Sequence, residues 1–291
     1  MLLSRRAVAV AAVALFATAC GGGSGKAASS APLRVSGSTT VNPVAADAAA
    51  VLRKDKGLTI TVDTQGGSAG GISQLGMGQI DIAMSSKPVA DEDKAQFPKV
   101  DFVSTQIGED AVGIIVRKEV VDGGLTSITK AQLTSLFEGK VKNWKELGGP
   151  DLKTFVYDKE PGRGTREVLD KFLYGKGVKA PAPPTDNDAY AIVGGNEETR
   201  TKLLSTPGSV APLSSAFAEG YPSLAVLAVG GILPTAATII DKTYPMSRPL
   251  FLLTNGEPKG SAKVFIDYVL SEAGQKLVTK NGYLTNAQLK G

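Results

Sequence analysis

Three short stretches carry the residue types that hold a small oxyanion. They are Ser36-Gly37-Ser38-Thr39-Thr40, Gly66-Gly67-Ser68-Ala69-Gly70-Gly71 and Gly162-Arg163-Gly164-Thr165-Arg166. Ser and Thr supply hydroxyl donors, and Gly lets the main chain approach a ligand. Each stretch reads as the opening of a helix, where unpaired N–H groups and the positive end of the helix dipole are presented. Three such openings in one chain outline a cage for an anion. Taken singly, Ser38, Thr39, Thr40 and Ser68 read as well as helix caps, the role in which Ser and Thr are preferred. Gly66 to Gly71 fits neither the dinucleotide fingerprint nor the P-loop. The third stretch is more pointed, because Lys159, Arg163 and Arg166 add three cations. An Arg fork can hold two oxyanion oxygens and Lys acts as a point charge; the alternative is a solvated basic turn.

Catalytic chemistry is poorly supplied. The chain has no His, which excludes Ser-His-Asp and Cys-His systems and His-based zinc sites. Ser127-Ile128-Thr129-Lys130 matches the Ser-x-x-Lys of penicillin-recognising enzymes but lacks the downstream partner motifs, and reads as a cap ahead of a helix. Asp63, Asp81 and Asp110 are scattered, and their spacing singles out no acid–base pair. No metal or cofactor is called for.

The elements that must position the three stretches follow from apolar periodicity. Strands are expected at Leu33 to Ser36, Leu58 to Thr64, Ile80 to Met84, Ala111 to Val116, Phe155 to Tyr157, Val210 to Leu213, Leu224 to Val229 and Pro249 to Leu253. Helices are expected at Val41 to Lys54, about Ile72 to Met77, Thr129 to Phe137, Arg166 to Leu173 and Ala262 to Leu270, with a loop at Pro181 to Pro184. The strand–helix–strand rhythm predicts an α/β protein with a parallel sheet. Each Gly/Ser/Thr stretch follows a strand and precedes a helix, and ligands of open α/β sheets bind at the carboxyl ends of strands.

At 291 residues, 42% hydrophobic and 21% charged, the chain reads as globular. A net charge of +4 of mixed signs and an aromatic share of 6% argue against nucleic acid as a partner. The first twenty residues read as a targeting segment: basic Arg5 and Arg6, the apolar run Ala7 to Phe16, then Ala17-Thr18-Ala19 and the lone cysteine, Cys20. This pattern is similar to a bacterial lipoprotein signal with Cys20 as the lipid-modified mature N-terminus. The alternative is an ordinary cleaved signal with Cys20 incidental, and Ser4-Arg5-Arg6 also fits twin-arginine export. Residues 21–32 read as a flexible Gly/Ser tether. Loss of Arg5 and Arg6 lowers the Lys plus Arg count from 32 to 30, against 28 Asp plus Glu, so local donors rather than bulk charge must attract an anion.

Over Leu33 to Leu284 the chain resembles the phosphate-binding proteins of bacterial phosphate ABC importers, the PstS-like family. The resemblance rests on motifs in family order: Gly37-Ser38-Thr39-Thr40-Val41-Asn42-Pro43; Gln65 to Gly71 followed by Ile80 to Ser86; Phe137 to Trp144 with Leu147-Gly148-Gly149; Gly162 to Arg166; Tyr244 to Leu250; and Phe265 to Tyr283. It implies a two-lobe periplasmic-binding-protein fold of the type II kind with a ligand cleft between lobes. Lobe one would hold residues 33–114 plus 246–291 and lobe two 115–245. It also implies a lipid-anchored, extracytoplasmic monomer that is not an enzyme, needs no cofactor, and passes inorganic phosphate to permease subunits. By position, the phosphate ligands would be Ser38, Thr39, Thr40, Ser68, Ser86, Lys159, Arg163, Gly164 and Thr165. Three positions depart from the family pattern. Arg163 stands where Ser is usual, Lys159 where Arg is usual, and Ser86 where some members place an Asp that accepts the proton of phosphate. A hydroxyl can accept as well, but it repels a fully deprotonated anion less, which keeps sulfate and molybdate open as ligands. A phosphate-ester or acyl hydrolase is the remaining alternative.

Overall fold

The computed structural model describes residues 31–290; the signal segment, Cys20 and the tether up to Ser30 lie outside the described residues. Strand β1 (Leu33–Gly37) leads into helix α1 (Asn42–Lys56), whose Val44, Ala45, Ala48, Ala49 and Leu52 form the buried face. Gly57 ends that helix in the left-handed region, beside a basic last turn that suits the helix dipole. Strand β2 (Ile60–Val62), helix α2 (Gly67–Gly76) and strand β3 (Ile82–Ser85) complete a first parallel trio, with Val35 opposite both Val62 and Ile82.

Past the short helix α3 (Asp91–Gln96), strand β4 spans Phe102–Arg117 and is buried without a break from Ile107 to Val116. Burial this continuous, which takes in Glu109 and Asp110 as well as the apolar residues, marks a strand covered on both faces. Helix α4 (Lys118–Asp122), the two-residue strand β5 (Ser127–Ile128) and helix α5 (Lys130–Phe137) follow. Thr129 and Gln132 form a capping box at the start of α5. Strand β6 (Phe155–Lys159), helix α6 (Gly164–Tyr174), strand β7 (Tyr190–Val193), helix α7 (Asn196–Ser205) and strand β8 (Ser209–Ser214) build a second parallel set. Strand β9 (Leu224–Val229), helix α8 (Ala236–Ile240), strand β10 (Ser247–Asn255) and helices α9 (Gly260–Leu270) and α10 (Glu272–Lys280) close the chain.

The main sheet runs β2-β1-β3-β10-β4-β8-β6-β7. It is mixed rather than parallel throughout. The two parallel trios are joined by β10 and β4, which are antiparallel to each other and to their outer neighbours. Apolar patterning reports burial, not direction, so the reversal was not legible in it. Strand β4 pairs with β10 as far as Ala111 and with β8 from Val112 onward, so one strand passes from the first half to the second. Each half has its own apolar core: β1, β3 and β10 under α1 and α9 in the first, and β4, β8 and β9 under α5 and α6 in the second. No helix among the described residues is long and apolar enough to cross a membrane.

Candidate functional site

Four strand-to-helix junctions meet where the two halves face each other. Three are the stretches singled out in the sequence; the fourth, Gly194-Gly195-Asn196 between β7 and α7, was not. Together with Ser86 at the end of β3 they enclose a small cavity. Its lining contains Ser38, Thr39, Thr40, Gly67, Ser68, Ser86, Lys159, Arg163, Gly164, Thr165, Gly194 and Asn196, with no carboxylate and no apolar side chain. All nine residues expected at the site therefore line one space.

Ser38 takes the capping role, its Oγ accepting from the N–H groups of Thr40 (3.2 Å) and Val41 (3.4 Å). Thr40 is held differently. Its Oγ1 accepts from Asn196 Nδ2 (3.0 Å) and Arg248 Nη2 (3.0 Å). Two donors occupy both lone pairs, so the hydroxyl proton is left to donate. Thr39 Oγ1 accepts from the Asn196 N–H at 3.4 Å. Ser68 Oγ accepts from the Ser86 N–H (3.1 Å) and stands 3.3 Å from Ser86 Oγ.

Gly164 shows why the third junction needs glycine. A Cβ there would sit 2.4 Å from Ser86 Oγ and 3.1 Å from Ser68 Oγ, so the start of α6 abuts the second junction without a side chain between. Next to it, Thr165 Oγ1 accepts from Arg248 Nη1 (2.8 Å). The Ala69 N–H donates to the Gly162 carbonyl at 3.1 Å, a main-chain bond from one half to the other.

Of the three cations in the third junction, Arg166 faces away. It pairs with Asp158 and, through Nε, with both oxygens of Asp170 (2.8 and 2.9 Å). Arg163 stays at the cavity rim, its guanidinium bound to Glu160 (2.6 Å) and packed over Gly67, whose φ of 60° suits glycine. Lys159 is 1% exposed. Its Nζ donates to the carbonyls of Gly194 (3.3 Å) and Gly195 (3.2 Å) and to Thr199 Oγ1. Burial, reinforced by Arg163 and Arg248, lowers its pKa to about 7.

The guanidinium buried behind the cavity comes from Arg248 on β10. It lies within the Tyr244 to Leu250 motif but was not singled out, because an Arg inside a strand carries no Gly/Ser/Thr signature. Asp110 accepts from its Nε (3.0 Å) and Nη2 (2.7 Å), and also from Ser214 Oγ (2.7 Å). Burial pushes the Asp110 carboxyl up, while Arg248 and Ser214 oppose that shift. Asn196 was missed for a related reason: α7 buries Asn196, Thr199 and Leu203, a face too polar for apolar periodicity to find.

The remaining candidates disperse. Asp63 accepts from Ser36 Oγ, and Asp81 pairs with Arg34 at the surface, so these carboxylates do not converge with Asp110. Ser127 Oγ donates to the Ala228 carbonyl and accepts from the Gly231 N–H, while Lys130 Nζ lies 5.5 Å from the Phe172 ring centroid; they form no dyad. A larger cavity of about 360 Å³ lies between α5, α6 and residues 181–184. An anion there would meet Glu138, Asp158 and Asp170, and its cations Lys140 and Arg166 are already paired, so the smaller polar cavity is the better candidate for an anion site.

Comparison with known proteins agrees with this architecture. Residues 22–273 match the model of the PBP superfamily domain. The phosphate-binding protein PstS of Bacillus subtilis is 30% identical, over 97% of this chain and 93% of its own length. That of Borreliella burgdorferi is 30% identical over 86% and 88%. Among solved structures, a phosphate ABC transporter substrate-binding protein from Clostridium perfringens with bound phosphate superposes with a TM-score of 0.76. It is 28% identical, covering 87% of this chain and 99% of its own. An ABC-type phosphate transport receptor from Vibrio cholerae gives 0.68 at 25% identity, with the same coverage. The fold is thus the two-lobed one of periplasmic binding proteins, and the chain belongs to the PBP superfamily and, within it, to the family of PstS phosphate-binding proteins.

Proposed function

We propose that this protein captures inorganic phosphate in the cavity between its lobes and delivers it, as a lipid-anchored extracytoplasmic monomer, to the permease of an ABC importer. No bond is made or broken. The observation that carries this reading is the set of donors converging on a carboxylate-free cavity, with Thr40 as its clearest case. Its two lone pairs are engaged by Arg248 and Asn196, so its proton needs an acceptor in the cavity. Ser38, Thr39, Ser68, Ser86, Gly164 and Thr165 add further hydroxyl and main-chain donors, and Lys159 and Arg163 add positive charge. Charge-assisted hydrogen bonds gain strength among side chains as buried as Thr40, Ser68, Ser86, Lys159 and Thr165.

Lobes of residues 33–114 plus 246–291 and of residues 115–245 put Thr40, Ser68, Ser86 and Arg248 on one side and Lys159, Thr165 and Asn196 on the other. The change of partner along β4 after Ala111 supports a crossover near this boundary. Ligand contacts from both lobes couple capture to hinge closure, the motion that a permease can sense. The Lys87–Glu167 ion pair (2.8 Å) joins the two sides outside the cavity. Anchoring through Cys20 rests on the sequence pattern alone.

The absence of a lining carboxylate favours a second ligand class. Ser86 in the acceptor position gives weaker rejection of fully deprotonated anions, so sulfate is the competitor to test. Calorimetry with phosphate and with sulfate decides between them: phosphate binding supports the reading, whereas sulfate binding with phosphate silent sinks it. Phosphate at about 100 times its Kd should also add about 2.7 kcal/mol of stability.

A further inference from the structure

The cavity has three cations at or behind its wall, and they are not equivalent. Arg163 is paired with Glu160 and Arg248 with Asp110. Lys159, the most buried lining cation, forms no ion pair among the described residues. Its three N–H donors go to the carbonyls of Gly194 and Gly195 and to Thr199 Oγ1, all uncharged. The nearby carboxylates are committed elsewhere. Asp158 is bound by Arg166 and Tyr190, and Glu198 Oε2 accepts from the Gly194 N–H (2.9 Å). An unpaired buried ammonium is costly, and such a group sheds its proton or acquires a counter-ion.

We propose that Lys159 is the proton-linked charge of this site: it holds a proton when an oxyanion fills the cavity and releases it when the cavity empties, so anion capture draws a proton from solvent. The inference rests on the anion-binding reading above and adds its regulation by pH. Both protonation states satisfy their surroundings. The ammonium uses three acceptors; the neutral amine keeps two donors for the Gly194 and Gly195 carbonyls and offers its lone pair to the Thr199 hydroxyl, whose proton turns to it from the Gly195 carbonyl at 2.8 Å. Burial and the fields of Arg163 and Arg248 favour the neutral form of the empty site, against the weaker pull of Glu198 and Asp158. An anion beside Nζ reverses that balance. Through this group alone, affinity falls up to about tenfold per pH unit above neutrality, until the occupied site also loses its proton.

The test uses the full chain with inorganic phosphate. Calorimetry at about pH 8.5 in two buffers of different ionisation enthalpy measures the protons taken up, and wild type should take up about one more than Lys159→Arg, because arginine stays charged. Protonation of phosphate itself is common to both proteins and drops out of the difference. Equal uptake by two proteins that both bind phosphate overturns the proposal. Should the variant not fold or bind, lysine-Cε NMR of wild type reads the same quantity, with Lys159→Gln to assign the resonance. The midpoint should lie near 7 without phosphate and rise by about two units or more with it. A midpoint that phosphate does not move overturns the proposal while leaving anion binding intact. Failure of wild type to bind phosphate removes the underlying reading and this one with it.

Discussion

Arg248 and Asp110 stand opposite each other in the antiparallel register of β10 and β4, and their side chains form an ion pair at 2.7 Å, 2% and 1% exposed. The pair fixes the guanidinium so that Nη1 reaches Thr165 and Nη2 reaches Thr40. One cation on the strand beside the crossover thereby aims hydroxyls from two different junctions. A buried pair of this kind contributes little net stability, but removing one member leaves an uncompensated charge. Asp110→Asn should therefore cost about 3 kcal/mol in urea unfolding. Phosphate should narrow that deficit, since an anion in the cavity gives Arg248 a partial counter-charge. A variant as stable as wild type without phosphate would mean that the pair does not carry this charge balance.

The hydroxyl of Thr40 makes a sharper test of the cavity. Thr40→Val keeps the shape but removes the acceptor of Asn196 Nδ2 and of one Arg248 Nη2 N–H, and leaves the anion without a donor. Hydrogen bonds to charged groups contribute about 1.5–3 kcal/mol, so phosphate affinity should fall roughly 10- to 100-fold. Thr40→Ser restores the hydroxyl and should bind within about threefold of wild type. Calorimetry of both variants reads the difference, and equal losses would show that the methyl group rather than the hydroxyl matters.

Gly164 tests whether the close meeting of two junctions is required for binding. The added methyl of Gly164→Ala would have to displace Ser86, whose carbonyl oxygen lies 3.0 Å from the Cβ position as well as the hydroxyl at 2.4 Å. Overpacking a tight contact costs about 1–3 kcal/mol. Because the contact links the two sides of the cleft, that cost should fall on the closed form, as roughly tenfold or more weaker phosphate binding at unchanged far-UV circular dichroism. Unaltered binding would mean that closure tolerates a gap here.

Much of this site was legible before any coordinates because its residues announce themselves locally. Ser38, Thr39 and Thr40, Ser68, and Gly164 with Thr165 each sit between an apolar strand and a helix, a pattern that composition and spacing reveal. Lys159 and Arg163 were visible as cations beside such a junction. What remained hidden depends on tertiary placement. Arg248 acts from within a strand, and only the pairing of β10 with β4 brings it beneath the cavity. Asn196 opens a helix whose buried face is polar. Whether Arg166 turned inward or outward depended on Asp158 and Asp170, its partners in space. The direction of β4 and β10 was likewise set by pairing, which hydrophobic pattern does not encode.

The burial of Lys159 also leaves a mark on stability without ligand. Its folded pKa of about 7 lies below the usual 10.5 of lysine. Between those values the unfolded chain binds the proton and the native chain does not, so stability rises with pH by up to about 1.4 kcal/mol per unit. Below about pH 7 both states are protonated and the penalty is constant. The half-buried Tyr190 and the buried Tyr244 and Tyr283 have pKa values raised above 10.0, so their opposing contribution sets in only as the unfolded chain's tyrosines titrate near that pH. In phosphate-free buffer, urea-derived stability should therefore climb from about pH 7 to about pH 9.5, relative to Lys159→Met, which lacks the group. Saturating phosphate should flatten the climb by keeping Lys159 protonated in the native state. A wild-type profile parallel to that of Lys159→Met without phosphate would show that the ammonium stays charged in the empty cavity.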